Sequence, residues 1–334
     1  MSDPSPELFF ETVWGYQRTA ALKGALELDL FTAVGEGNAT AAAAAARCGA
    51  STRGVRILGD YLTVLGFLVK DGDRYALTPD SAAFLDRRSP AYLGGTVEFT
   101  LSPALEEAFR DVAGAVRRGG TGAAAGGTVA PDHPIWVRFA RAMMPMMRGP
   151  AEELVNLVPV DSPPPRRVLD IAAGHGLFGI AFARRYPRAE VTAVDWAGVL
   201  EVARDNAAAV GVAERYRTIA GSAFDVEWGA GYDVALLTNF LHHFDPATCE
   251  RMLAKVHRAL APGGRAVTLE FVPNADRVSP PPAAGFSLVM LCTTPAGDAY
   301  TFAELDGMLG RAGFTRNTLH PLAAAPQQAI VSLA

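Results

Sequence analysis

The sequence predicts an α/β protein, with a Rossmann-like doubly wound sheet that ends in an antiparallel terminal hairpin and a mainly helical, winged-helix domain before it. Three observations support this fold class. An apolar strand runs into a glycine turn and a helix at residues 168–179. Strand-like and helical segments then alternate, and consecutive prolines at residues 163–165 separate the two halves.

The glycine turn reads VLDIAAGHGLFG and leaves backbone N–H groups pointing at a ligand above it. Gly174, Gly176 and Gly179 satisfy G-x-G-x-x-G, which alone would suggest a dinucleotide enzyme. Asp170 lies inside the strand, where the pyrophosphate of NAD has no use for a carboxylate but a cofactor with an ammonium group does. The pattern D-x-A-A-G-x-G resembles motif I of class I S-adenosylmethionine (SAM) methyltransferases.

A second acidic residue follows at the spacing expected of a nucleotide site. After a predicted helix at 177–185, the strand 190–195 ends at Asp195, 19 residues beyond Gly176, where such folds bind ribose hydroxyls. Asp195 could instead cap the next predicted helix, 197–210. Two acids that flank a glycine turn favour the cofactor interpretation.

Composition indicates a soluble two-domain enzyme. The chain has 334 residues, half of them hydrophobic, which suffices for two cores. Its net charge is −5 and no basic cluster exceeds two arginines, which argues against nucleic acid or membrane as a partner. Three distant cysteines indicate neither a disulfide framework nor a zinc site, so we expect no metal. Without a signal peptide or a long apolar run, we expect a cytoplasmic protein.

The prolines set the predicted domain boundary. Because consecutive prolines cannot continue a helix or join a central strand, we divide the chain near residue 160, into domains at 1–160 and 161–334. Residues 7–31 have helical spacing, residues 51–65 repeat apolar residues at i, i+3 and i+4, and short apolar strands follow. The other N-terminal features are a hairpin of strands 67–70 and 74–77, a short helix at 41–46 ended by Gly49, and a flexible loop at 119–127.

A winged helix can bind DNA, but this one has little positive charge. The helix at 51–65 carries only Arg53 and Arg56, together with Asp60, and phosphate contacts normally need more cations. The apolar helices at 7–31 and 135–147 favour a dimerisation and substrate-closing module. We therefore expect a homodimer formed through the N-terminal domain.

The α/β alternation continues to the C-terminus. Ligands of such sheets lie outside the carboxyl ends of the strands, so the residues just after each strand are functional candidates. The predicted strands are 216–220, 232–239, 265–271, 315–322 and 328–333, the last two antiparallel, and the predicted helices are 247–260 and 302–312.

Residues 237–274, LTNFLHHFDPATCERMLAKVHRALAPGGRAVTLEFVPN, are similar to plant-type small-molecule O-methyltransferases and their bacterial relatives. The resemblance covers nearly the whole chain, including ALELDLF and VMLCTTPAGDAYTFAEL. It implies SAM as cofactor, S-adenosylhomocysteine as product, His242 as general base and Glu270 as its orienting carboxylate. The cofactor-binding candidates are Asp170, Ala172, Gly174 and Gly176 for the methionine end, Asp195 and Trp196 for the ribose, Ser222, Ala223 and Phe224 for the adenine, and Asn239.

Apolar residues are the main candidates for binding the methyl acceptor. Five large side chains on the helix at 135–147 point to two faces, so about half would line a pocket and half would pack inward. His243 fits a helix cap or a substrate contact equally, and His175 is expected to face solvent or SAM. The substrate-binding candidates are Phe139, Met143, Met147, His243, Phe286, Met290 and Thr294, of which the last three align with acceptor contacts in the resembled family.

The departures from the plant enzymes concern the base. His243 replaces the aspartate that commonly follows the catalytic histidine, and a cofactor-side lysine is replaced by Thr238. A second orienting glutamate falls on Ala299, with Asp298 next to it. The base is therefore oriented differently, or the acceptor needs less deprotonation than a plant phenol.

We predict SAM-dependent methyl transfer to a hydroxyl oxygen of a small aromatic or polyketide-like metabolite. Displacement at a sulfonium needs alignment, desolvation and a base, and an imidazole that titrates near neutrality suits that role. Two alternatives stay open: C-methylation of a 2-oxo acid, with or without iron held by histidine, and a non-catalytic SAM-binding winged-helix regulator. An NAD-dependent oxidoreductase is opposed by Asp170.

Overall fold

The computed structural model describes residues 4–158 and 163–334, which form two compact units. One unit ends at Leu101 and the other begins at Ser102. The division predicted near residue 160 lies outside the described residues. Residues 102–158 belong with the sheet rather than with the N-terminal unit, because Met147, Leu154 and other apolar side chains that precede the prolines pack in the core of the sheet domain.

The N-terminal unit is a set of short helices with one hairpin. Its core is formed by residues such as Leu30, Phe31 and Leu62, each at most 1% exposed. The helices are α1 (Glu7–Val13), α2 (Gly15–Glu27), α3 (Leu30–Gly35), α4 (Ala41–Cys48), α5 (Thr52–Val64), α6 (Pro79–Phe84) and α7 (Val97–Thr100), and the strands are β1 (Leu68–Asp71) and β2 (Arg74–Leu77).

The hairpin and the capped helix of this unit agree with the sequence prediction. Strands β1 and β2 pair antiparallel, with Leu68 opposite Leu77, and α4 ends at Gly49, whose φ is 64°. The single helix predicted at 7–31 is wrong, since the chain forms three helices there. Asp29 separates the third helix, α3, from α2, because it adopts the left-handed conformation (φ 57°) that short polar side chains tolerate.

The second unit contains a seven-stranded sheet in the order β5-β4-β3-β6-β7-β9-β8. The first five strands are parallel, and the two C-terminal strands pair antiparallel, as the sequence predicts. The strands are β3 (Arg167–Ile171), β4 (Glu190–Asp195), β5 (Tyr216–Ala220), β6 (Tyr232–Thr238), β7 (Leu260–Glu270), β8 (Thr315–Pro321) and β9 (Gln328–Leu333).

Helices cover the sheet and supply both of its apolar cores. Those of this unit are α8 (Pro103–Ala108), α9 (Val112–Arg118), α10 (Ile135–Ala142), α11 (Met144–Val155), α12 (Leu177–Arg185), α13 (Ala197–Ala209), α14 (Pro246–Ala259), α15 (Pro281–Thr293) and α16 (Phe302–Arg311). Three features of this unit differ from the sequence prediction. The helix predicted at 135–147 is divided at Met143, α15 was not predicted, and the predicted flexible loop at 119–127 enters a 3₁₀ helix, Ala124–Val129.

The topology positions the candidate site. Strands β3, β4, β6 and β7 are parallel neighbours, so their carboxyl ends meet at one edge of the sheet. Asp195, Asn239 and Glu270 all lie at that edge. Across the described ranges, no helix is both long and apolar enough to cross a membrane.

Candidate active site

The turn after β3 alternates between two backbone conformations. Ala172, Gly174 and Gly176 have φ values of 51°, 57° and 76°, while the residues between them have negative φ. The N–H groups of Ala173 and Gly176 donate to the carbonyl oxygens of Val194 and Ala173, at 3.2 and 2.8 Å, so the turn is fixed by its own hydrogen bonds. A positive φ is strained for alanine, and strain of this kind concentrates at functional sites. The strain at Ala172 therefore marks this turn as a candidate binding surface.

The second and third glycines of the motif serve packing. A Cβ atom at Gly176 would lie 2.6 Å from the Tyr216 hydroxyl, and one at Gly179 would lie 2.7 Å from Oδ2 of Asp170. A Cβ atom at Gly174 would have no such close neighbour, since the Phe139 ring and the Ala172 carbonyl oxygen would lie 3.7 and 3.9 Å from it. Of the three glycines, Gly174 alone is free to face a ligand.

Asp195 is held against this turn. Its Oδ2 accepts a hydrogen bond from the Gly174 N–H at 2.8 Å, and its Oδ1 accepts one from the Trp196 N–H at 2.7 Å. Helix α13 has no side-chain cap at its first residues, so the capping alternative is not observed. Burial raises the pKa of Asp195 from 3.8 to about 6, against the effect of the two N–H groups. A carboxylate with spare lone pairs and poor solvation is suited to accept hydroxyl donors.

Asp170 lies beneath the turn and is completely buried. Its Oδ2 accepts the Gly179 N–H at 3.0 Å and so caps the first turn of α12, whereas its Oδ1 has no partner among the described residues. Burial raises the pKa of this carboxyl well above its ordinary value. A buried acceptor without a donor fits the ammonium group predicted for the cofactor, although Asp170 also has this structural role.

His175, predicted to face solvent or SAM, does not face solvent, because the residue is only 2% exposed. Its ring stacks on Phe139 with centroids 6.2 Å apart, and its Nδ1 accepts the Leu177 N–H at 3.2 Å. Burial lowers the pKa of His175 to about 4, so the ring stays neutral near pH 7. Its place inside the motif concealed this role, because the sequence does not show which ring packs over it.

Helix α10 joins the turn to the histidine pair. Phe139 contacts Gly174, and Trp136, one turn earlier on the same face, lies 5.9 Å from Phe139 and 5.1 Å from His243 between ring centroids. The Trp136 indole N–H donates to the Thr128 carbonyl at 2.9 Å, which fixes the ring. Trp136 was missed by the sequence analysis, although its spacing of three from Phe139 was a usable signal.

The candidate base is anchored by Glu270. The Nδ1 atom of His242 makes a short hydrogen bond with Glu270 Oε2, and both side chains are buried. Glu270 Oε1 accepts the N–H groups of Phe240 and Leu241 at 3.0 and 2.7 Å. Because a carboxylate only accepts, Nδ1 of His242 is the donor in this pair, and Nε2 is the nitrogen of the neutral ring that has a lone pair. The glutamate thus fixes the ring and the turn that carries it.

His243 lies beside His242, with ring centroids 4.2 Å apart. Its Nδ1 donates to the Phe240 carbonyl at 3.1 Å, and the ring is 8% exposed. Burial, with a contribution from His242, lowers the pKa of His243 well below its ordinary value. His243 is therefore a neutral side chain whose donor is used within the chain.

Among the described residues, no carboxylate takes the place of the second glutamate. Ala299 is completely buried, and the Asp298 side chain is 40% exposed and lies 3.5 Å from Arg277. Instead, Gly297 packs against this turn so closely that a Cβ there would lie 2.3 Å from the His242 carbonyl oxygen. Close packing on one side and Glu270 on the other hold His242.

Aromatic rings surround the loop that follows β5. Ser222 Oγ accepts the Phe224 N–H at 3.2 Å, and Ala223 is buried. The Phe224 ring lies 6.1 Å from Phe240 and 5.1 Å from Phe244 between centroids. The predicted adenine residues thus adjoin the turn that carries His242.

The predicted acceptor residues divide into two groups. Phe286 meets the His242 ring edge-on at 4.8 Å and stacks on Phe271 at 3.9 Å, so it belongs beside the base. Thr294 does not, because it is completely buried and its hydroxyl bonds the Met290 carbonyl and the Gly297 N–H at 2.7 and 2.9 Å. The predicted substrate contact of Thr294 is therefore not supported, because its hydroxyl proton is donated to the Met290 carbonyl and the side chain is enclosed at the end of α15.

Methionines from α11 meet the sheet edge. Asn239 Nδ2 lies 4.0 Å from Met147 Sδ, and Asn239 Oδ1 accepts Gln327 Nε2 at 3.2 Å. Asn239 therefore adjoins the methionine-bearing helix, and Gln327 is a neighbour that the sequence analysis missed. Met143, Met147 and Met290 are each at most 8% exposed, and Met147 packs in the core of the sheet domain.

Comparison with known proteins gives two domain matches. An O-methyltransferase dimerisation domain matches residues 10–87, and an O-methyltransferase domain matches residues 111–315. The 3-hydroxy-5-methyl-1-naphthoate 3-O-methyltransferase of Streptomyces sahachiroi is 31% identical over 314 residues, covering 92% of this chain and 89% of its own.

Solved structures are similar over the full length. A crystal structure assigned as an O-methyltransferase from Nostoc punctiforme is 53% identical, with a TM-score of 0.96, and covers 99% of this chain and 100% of its own. A structure of PigF with SAH (S-adenosylhomocysteine) is 25% identical, with a TM-score of 0.86 and the same coverage of 99% and 100%.

Proposed function

The chain belongs to the O-methyltransferase family, and from this premise we propose that it transfers the SAM methyl group to a hydroxyl oxygen of a small aromatic or polyketide-like metabolite. The relative from Streptomyces acts on a hydroxylated naphthoate, a flat aromatic acceptor. Phe286 and Phe271 beside His242 suit an acceptor of that shape.

The observation that carries this proposal is the pairing of His242 with Glu270. With SAM bound, Nε2 of His242 would accept the proton of the acceptor hydroxyl while the oxygen displaces the methyl carbon from the sulfonium, whose S–C bond electrons stay on the sulfur of S-adenosylhomocysteine. The resulting imidazolium would be stabilised by the Glu270 carboxylate. Glu270 remains oriented throughout, because two backbone N–H groups hold its other oxygen. The dyad needs no second carboxylate.

The cofactor would lie along the carboxyl edge of β3, β4 and β5. Gly174 and Ala172 would cradle its methionine end, Asp195 would accept the ribose hydroxyls, and Ala223 and Phe224 would enclose the adenine. When bound, SAM supplies an electrophilic methyl group on a sulfonium. Phe139, Trp136 and Phe286 exclude water from the space between this edge and His242.

Turnover with SAM tests the proposal directly. We expect the purified protein to release SAH when it is given SAM and a panel of hydroxylated aromatic acids, naphthoates and polyketide intermediates, and the new methyl carbon to be bonded to oxygen by NMR. A product methylated on carbon would contradict O-methylation. SAM binding without turnover of any acceptor would instead favour the regulator alternative.

SAM affinity should depend on pH through Asp195. Because the pKa of this carboxyl is raised to about 6, it is ionised above that pH and protonated below it. Burial makes the ionised Asp195 carboxylate unfavourable in the ligand-free protein. The ribose hydroxyls would donate hydrogen bonds to the carboxylate and so stabilise its ionised form. We expect the Kd for SAM by calorimetry to be lowest near pH 7–8 and to rise by up to about tenfold per unit below pH 6.

The matched variant Asp195→Asn keeps the shape of the side chain but cannot titrate. Its SAM affinity should be weaker and nearly constant across the same pH range. A wild-type affinity that does not change through pH 6, or an equal pH dependence in Asp195→Asn, would refute the role of this carboxyl.

We also propose a homodimer that uses α1. The N-terminal unit matches a dimerisation domain, and no residue of α1 is buried. Its apolar side chains are exposed, Leu8 at 75%, Phe9 at 64% and Trp14 at 52%. Such a surface is too apolar to leave in water, and an identical helix from a second copy would cover it.

Light scattering at micromolar concentration should give twice the chain mass. The double variant Phe9→Ser, Trp14→Ser should shift the protein toward the monomer, whereas Val64→Ser, which removes an 80% exposed apolar side chain on α5, should not. A monomeric wild type, or a double variant as dimeric as the wild type, would count against the assignment.

We do not propose a nucleic-acid partner for the winged helix. Asp60 accepts from both Arg56 and Lys70, at 2.9 and 2.5 Å, so these cations are paired within the unit. We propose the cytoplasm as the compartment, since Cys48, Cys249 and Cys292 are free thiols.

A further inference from the structure

Lys255 on α14 is directed at the loop that follows β5. Its ammonium donates to the carbonyl oxygens of Ala223, Phe224 and Val226 at 3.1, 3.0 and 2.8 Å. The same ammonium lies 4.0 Å from the centre of the Trp228 ring, which is 6% exposed. Three carbonyl groups and one aromatic face thus converge on a single positive charge, much as ligands converge on a bound cation.

The loop is fixed from both sides of its peptide units. The peptide plane puts each N–H opposite the carbonyl of the same unit. The carbonyls of Ala223 and Phe224 bond Lys255, and the N–H groups of the same two units bond the Ser222 hydroxyl and the Ser222 carbonyl, at 3.2 and 3.0 Å. Ser222 and Lys255 together determine where Ala223 and Phe224 lie.

Trp228 closes the arrangement at the far end of the loop. Its carbonyl accepts the Tyr232 hydroxyl at 2.5 Å, and Tyr232, at the start of β6, is 2% exposed. The indole under the ammonium is therefore part of the sheet core. Trp228 links the loop to strand β6, and Lys255 links it to helix α14.

We propose that Lys255 is a positioning residue for the cofactor: its ammonium holds the loop in the conformation in which Ala223 and Phe224 receive the adenine. This inference rests on the proposed function, since it assumes that SAM binds along this edge. Lys255 acts through the loop carbonyls, and its removal would leave three of them without a donor. The adenine wall would then relax, while Asp195, Glu270 and His242 would keep their own hydrogen bonds.

Calorimetric titration with SAH tests the role without an identified acceptor. Lys255→Met should raise the Kd for SAH by roughly ten- to hundredfold, as expected when a binding wall is displaced by about 1 Å, with the stoichiometry still near one site per chain. A variant that merely misfolds would lower the stoichiometry and leave the Kd of the folded fraction unchanged. Amide hydrogen exchange in residues 221–228 should be faster in the same variant.

Two further variants complete the test. Lys70→Met makes the same substitution in the N-terminal unit, where Lys70 pairs with Asp60, and should bind SAH like the wild type. Lys255→Ala also lacks a donor, and it replaces Lys255→Met in the titration should that variant fail to fold. An unchanged Kd in either folded Lys255 variant would overturn the proposal. Wild-type protein that fails to bind SAH would instead remove the proposed function.

Discussion

His242→Ala is expected to lower kcat by roughly 10²–10⁴-fold, the usual cost of losing a positioned general base, while the Kd for SAM stays within about twofold of the wild type. The separation follows from the geometry. His242 bonds Glu270 and meets Phe286, and none of its described contacts involves the glycine turn or Asp195. Single-turnover rates with saturating SAM, together with calorimetry, measure the two quantities independently.

Neighbouring variants show whether His242 is the base. Glu270→Gln should also lower kcat, by less than His242→Ala, because the amide can still orient the ring but cannot balance the imidazolium charge. His243→Ala should have a smaller effect, since the His243 ring is neutral and its donor is bonded to the Phe240 carbonyl. Near-normal turnover in His242→Ala would exclude the general-base role and direct attention to His243 or to catalysis by proximity alone. Loss of activity in both histidine variants, with sensitivity to chelators, would favour a metal.

Asp195→Ala is expected to weaken SAM binding by roughly 10²–10⁴-fold. Two ribose hydroxyls that donate to a carboxylate contribute about 1.5–3 kcal/mol each, so losing both costs about 3–6 kcal/mol. Asp195 can bind them while it keeps the Gly174 N–H, because its carboxylate has four lone-pair sites and the chain uses two of them. Calorimetry with SAM gives the affinity.

The control removes an acid from the same region. Asp205→Ala changes an exposed carboxylate on α13, the helix that follows Asp195, and should leave the Kd for SAM unchanged. Should Asp195→Ala bind SAM as tightly as the wild type, the ribose assignment is wrong, and Asp195 would serve only to brace the glycine turn.

Local sequence determined much of this protein. The alternation of apolar strands with amphipathic helices sets the α/β class, because each pattern has one regular structure that can bury it. The turn at 172–176 follows from its glycines, and Asp195 could be selected because it ends a parallel strand at the expected spacing. The resemblance to the plant-type O-methyltransferases selected His242 and Glu270. Gly49 likewise marked the end of α4, since capping depends on a few adjacent residues.

Tertiary packing decided the rest. The domain division could not be found from the prolines, because helices before them contribute side chains to the sheet core and only packing reveals which core a helix joins. Thr294 and His175 were misjudged because burial depends on neighbours distant in sequence, such as Gly297 and Phe139. Gln327 and Lys255 became visible only once the β8–β9 loop and α14 were in place. The partner of Gln327 is the Asn239 side chain and those of Lys255 are three backbone carbonyls, all distant in sequence, so these contacts are a property of the folded chain.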